Sequence, residues 1–188
     1  VPALNEINVR HLLRRTEFVD RNDRVAHLLS LGTIEDAVDD VMHLSANPPS
    51  ASFDGIDPNS NWEQAVRLAE HWLDQMATAP RPFGERMAFF WHGHICTEAG
   101  KVDSGIMMRE QIDLFRSRGV GTASDSGDVT SLVRTAAIQV AMLRYLDNDR
   151  NFADSPNQNF ARELMELFLL GVGNYTEAEV EAAAAAWT

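Results

Sequence analysis

Cysteine is nearly absent. Cys96 stands alone in 188 residues, which rules out an internal disulfide and a cysteine-rich zinc site. Lysine is as scarce: Lys101 is the only one, and the other basic residues are arginines. Arginine is the better bidentate partner for buried carboxylates. Positive charge as a whole is short, with 16 basic against 28 acidic residues and a formal net charge of -12. That balance argues against general nucleic-acid binding and against attachment to an anionic membrane, because both need a positive field. No apolar run is long enough to span a bilayer. The N-terminal Val1-Pro2-Ala3 carries neither an initiator Met nor a charged-then-apolar export signal. Strand-like alternation is scarce throughout.

Helical spacing fills the chain instead. Periodic apolar positions predict helices over Asn5–Phe18, Asp23–Leu31, Thr33–Met42, Trp62–Ala77, Phe83–Gly93, Ser104–Arg118 and Val129–Leu146. A further one covers Asn159–Leu170. The last opens at Thr176-Glu177-Ala178-Glu179, a capping-box sequence. The expectation is one all-α globular domain over 1–188, a multi-helix bundle of about eight helices without a substantial sheet. Ala46–Asn61 reads as a flexible polar loop, Thr97–Val102 as a loop, and Gly119–Asp128 as exposed. Because Ala182–Thr188 stops within a helical pattern, the chain reads as a piece of a longer protein.

The stretch Asn159–Leu170 draws most attention. It is apolar nearly all round, so it should be buried. Its one polar stripe is Asn159, Arg162, Glu163 and Glu166, which share a helix face at spacings of three and four. Buried carboxylates need a cation, a metal or a hydrogen-bonding network. Two sets of partners are in view. His92 and His94 in Trp91-His92-Gly93-His94 converge if the helix ends at Gly93; with Glu163 and Glu166 they would suit zinc or iron. Alternatively, the histidines are hydrogen-bonded core residues and Arg109, Arg134 or Arg144 answers the acids.

Other templates fail. Asp147-Asn148-Asp149-Arg150-Asn151 begins like a calcium loop, but Phe152 stands where the turn glycine belongs and Gln158 where the bidentate Glu belongs. His-Glu-x-x-His, the phosphate loop and the Gly-x-Ser-x-Gly elbow are missing. Cys96 lies two residues beyond His94, yet a lone cysteine is most simply small buried filler.

The combined motifs resemble a known family. His11-Leu12-Leu13-Arg14-Arg15, Phe90-Trp91-His92-Gly93-His94, Tyr145-Leu146-Asp147-Asn148, Asn157 through Glu166 and Thr176 through Thr188 are similar in order and spacing to the bacterial DUF1800 family, a family of unknown function. The resemblance implies a periplasmic or extracellular setting and a longer chain whose C-terminal portion is a partner of this one. It implies no activity. It draws Asp147 and Asn148 into the set with Asn159, Arg162, Glu163 and Glu166. Gly93 replaces the family's usual Asn, and Phe168 stands where many relatives carry His.

Two functions follow as expectations. In one, an exported helical domain holds a divalent metal, zinc or iron, on His92, His94, Glu163 and Glu166. Glu163 or Glu166 then serves as catalytic base for hydrolytic or oxidative chemistry, and Asn159, Arg162, Asp147 and Asn148 support the site. In the other, the cluster only fixes helix packing in a structural module that meets a protein partner or its own copy.

Overall fold

The computed structural model of the chain describes residues 3–43, 48–119 and 128–188. Among these residues stand eleven α-helices and no strand, so the all-α class holds with more helices than the eight expected. Three helices, α1 (Glu6–Thr16), α2 (Asn22–Leu29) and α3 (Ile34–Met42), enclose a small core of Val9, Leu13, Val25, Leu28, Ala37 and Val41. Local chemistry starts them. The Asn5 side chain accepts from the Asn8 N–H at the head of α1, and Thr33 accepts from the Asp36 N–H at the head of α3. These contacts satisfy donors that a helix end leaves open.

Beside this core lies a charged cluster. Glu17 is 1% exposed and accepts two bonds from Arg24, at 3.2 and 2.9 Å, through a single oxygen. Its other oxygen has no hydrogen-bond partner. Asp40 receives Arg24 at 2.8 Å, Arg81 at 3.1 Å and the His27 ring at 3.0 Å. Burial pushes the Glu17 carboxyl up against the pull of Arg24. Burial also acts against charge on Asp40, but the bonds from His27 and Arg24 and the charges of Arg24 and Arg81 outweigh it and hold that carboxyl at about 2. The signs are opposite. A depressed carboxyl stabilises the fold above its unfolded value and loses that stabilisation as pH falls through its folded value. Asp40→Asn should therefore be less stable than the parent at neutral pH, and the gap should close as pH drops from 3.8 towards about 2. Urea melts across that range test this; a gap independent of pH contradicts it.

The main core is built on α4 (Asn61–Thr78), α5 (Phe83–His94), the short α6 (Ala99–Val102) and α7 (Gly105–Arg118). α6 occupies part of a stretch expected to be loop. α4 and α7 meet at Gly105, where an added Cβ would stand 2.3 Å from the Gln64 Cβ and 3.0 Å from the Gln64 carbonyl carbon. Only glycine permits that approach. Glu85 and Arg116 pair inside this layer, with side chains 5% and 2% exposed. The 46–61 loop, apart from Ala46 and Asn47, which lie outside the described residues, is anchored at several points. Arg116 donates to the Pro49 carbonyl at 2.7 Å, Arg109 donates to the Ala51 carbonyl at 3.1 Å, and Arg109 lies 4.9 Å over the Phe53 ring.

The remaining helices are α8 (Val129–Ala137), α9 (Val140–Tyr145), α10 (Gln158–Glu163) and α11 (Glu177–Ala186). The long helix expected over Val129–Leu146 is broken: Gln139 is extended at φ -68, ψ 142 and its side chain donates to the Glu110 carbonyl at 3.2 Å. No Pro or Gly marks the break. It lets Ala136, Ala137, Ala141 and Met142 all reach the core, a case of packing overriding local preference. The Gly119–Asp128 run lies outside the described residues except at its ends. Gly119 is half-buried there, and its carbonyl accepts from the Trp91 indole at 2.7 Å. Among the described residues no helix is long and apolar enough to cross a membrane.

Candidate functional site

α10 begins where Asn157 accepts from the Asn159 N–H. It is α-helical only to Glu163. Leu164–Leu169 then forms a π-helical turn, with Leu170 N–H bonded to the Met165 carbonyl at 2.7 Å. Gly171, at φ +81, closes the segment in a conformation costly for residues with a side chain. The expected all-round burial is corrected. Phe160, Ala161 and Phe168 are buried, but Leu167, Leu169 and Leu170 are 55%, 54% and 49% exposed. Only one side of the segment packs inward, and Phe168, buried in the main core, fills it.

The polar stripe is half-buried along its length. Asn159 donates to the Leu146 carbonyl at 3.0 Å. Arg162 grips Glu177 on α11 through both guanidinium nitrogens and also donates to Gln158 at 3.1 Å. Glu166 accepts from the Tyr175 hydroxyl, and that bond is the first cause raising the Tyr175 phenol. Glu163 makes no hydrogen bond among the described residues. Its charge faces Tyr145, whose phenol is raised by burial first and then by the charges of Cys96, Glu98 and Glu163, against Lys101.

The histidines do not join this stripe. α5 ends at His94, one residue beyond Gly93, so both histidines lie on the helix. Two residues along a helix turn about 200°, and the side chains diverge. His92 stands edge-on to Trp72 at 5.6 Å, with Nδ1 buried and unbonded, and burial pushes its imidazole below the usual range. His94 is exposed, edge-on to Trp91 at 6.2 Å. Among the described residues no three His, Cys, Asp or Glu side chains are placed to share a metal ion. The quartet His92, His94, Glu163 and Glu166 is thus not assembled.

Asp147 and Asn148 belong to a different network. Asp147, in the left-handed region at φ +60, binds the Lys101 ammonium at 2.9 Å. Asn148 accepts from Asn151 at 3.2 Å; Asn151 also donates to the Ala184 carbonyl at 2.9 Å and accepts from the Asn157 N–H at 2.7 Å. Asn157 in turn donates to the Asp147 carbonyl at 3.1 Å. Asn151 and Asn157 lie in motifs quoted above without being site candidates, and Tyr175 is not singled out by any motif. The signal for the first two was present, because short amides between helices prefer to bond backbone groups. Of the arginines expected to answer the acids, Arg109 goes to the 46–61 loop, while Arg134 and Arg144 meet no carboxylate among the described residues.

The family model described as protein of unknown function, DUF1800, matches residues 11–188, from the second half of α1 through α11. The chain belongs to the DUF1800 family. No curated protein and no solved structure matches it. Within this DUF1800 chain, Asp147, Asn148, Asn151, Asn157 and Asn159 share one hydrogen-bonded network at the head of α10, Arg162 and Glu166 bond to Glu177 and Tyr175 further along, and His92 packs against Trp72 of α4.

Proposed function

We propose that this chain is a non-catalytic helical module in which the α10 stripe fixes the packing of α9, α10 and α11. One observation carries the reading: the polar atoms of Asn159, Arg162 and Glu166 are engaged by neighbouring chain segments. A helix lined by half-apolar neighbours gains register from such bonds, since each wrong register leaves a donor or acceptor unmet. Asn151 extends the same lock to the carbonyl of Ala184 near the end of α11.

The test compares stability with metal content. Asn151→Ala should cost about 1–3 kcal/mol in urea melts, because it strands buried partners on two segments. Protein purified without chelator should carry no stoichiometric metal, and zinc, iron or calcium should leave its melting temperature unchanged. Stoichiometric metal with a matching thermal shift would overturn the reading in favour of a metal centre. The exported setting that the family resemblance implies belongs to the same proposal. Recovery of the native protein from the cytoplasmic fraction would remove it.

A further inference from the structure

Between α8, the π-helical turn and the end of α11 runs an apolar groove of about 310 Å³. Val129, Val133, Ala137, Ile138, Leu164, Leu169 and Trp187 line it together with Thr130 and Arg134. The volume lies at the lower end of the range for small-molecule sites, about 300–1,000 Å³. Val129, Ile138 and Leu169 remain 53%, 61% and 54% exposed along it, and water gains little from such walls.

The single charge in the lining decides the occupant. Arg134 is exposed and meets no carboxylate among the described residues, in a protein with 28 acidic residues. Thr130 stands one turn before Arg134 on the same face of α8, and both residues line the groove. The groove therefore has a cationic, hydroxyl-bearing end and an apolar remainder. From Val129 to Ala137 α8 rises about 12 Å at 1.5 Å per residue, which sets the length of that wall.

We propose that this groove binds a linear amphiphilic carboxylate, a medium-chain fatty acid, with its head on Arg134 and its chain along Val133, Ala137, Ile138, Leu164, Leu169 and Trp187. The guanidinium presents a donor fork matched to a carboxylate. Burying the chain removes apolar surface from water on both partners. The inference goes beyond the packing role of the α10 stripe and does not depend on it.

Dodecanoate is the probe, titrated below its micelle-forming concentration into the 188-residue protein. Isothermal calorimetry and tryptophan emission are the readouts, since Trp187 lines the site. The expected result is saturable binding of one dodecanoate per chain with a change in emission. Dodecanol should bind about tenfold more weakly, as should dodecanoate to Arg134→Gln, reflecting the loss of one charge-assisted contact. Thr130→Phe, a change at an exposed position that fills the groove without entering the core, should abolish binding. Equal affinity for dodecanol, an unchanged Arg134→Gln, or non-saturating uptake of many molecules per chain would each overturn the proposal.

Discussion

Arg116→Ala should lower the stability of the fold by about 3–5 kcal/mol, the usual loss when one member of a buried ion pair is removed. Arg116 meets Glu85 through Nε at 2.9 Å and Nη2 at 2.7 Å, and Nη1 donates to the Pro49 carbonyl and to Asp113. Glu85, 4% exposed, also accepts from the Trp72 indole at 3.0 Å. Without the guanidinium its charge stays in the core with one neutral donor. The double variant Glu85→Gln, Arg116→Met should recover part of the loss, because it removes the charge and keeps an acceptor for Trp72. Urea denaturation of the parent, the single and the double variant measures both effects. A loss below about 1 kcal/mol for Arg116→Ala would contradict the burial argument, and so would a double variant less stable than the single.

The demand that a buried carboxylate find a cation is met on α5, not on the Asn159–Leu170 stretch. A carboxylate on a mostly apolar helix must find a cation, which in the sequence singles out Glu163 and Glu166. Both are half-buried. The carboxylates that do enter cores are Glu17 and Glu85, 1% and 4% exposed. Glu85 sits in the Phe83–Gly93 stretch that reads as having little polar face, so the same signal was present there. What composition could not supply was which apolar face of Asn159–Leu170 points inward. The π-helical turn shifts the register after Glu163 and leaves Leu167, Leu169 and Leu170 outside, and no residue type announces a π turn. Two helix starts were legible. Thr33 and Thr176 do what their spacing predicts, with the full capping box at Thr176, because a cap depends on atoms only three residues away. The histidine pair was not, because its geometry depends on where α5 ends, and with His92 and His94 both on the helix their side chains point about 200° apart.

Phe160→Ala should also cost about 3–5 kcal/mol, from lost transfer free energy and the cavity left behind. Phe160 is 1% exposed and its ring lies 4.8 Å from Trp187, edge to face. It joins α10 to the main core and braces the wall of the apolar groove at the same time. Its loss should therefore show in two ways. The urea midpoint should fall, and under conditions where the variant is still folded, the Trp187 contribution to emission should shift towards that of a wetter indole. Leu167→Ala gives the contrast. It lies seven residues further along the same segment but is 55% exposed, so its cost should stay within about 0.5 kcal/mol. If Leu167→Ala proved as damaging as Phe160→Ala, the segment would be buried all round after all, and the groove beside Leu164 and Leu169 would be filled in solution.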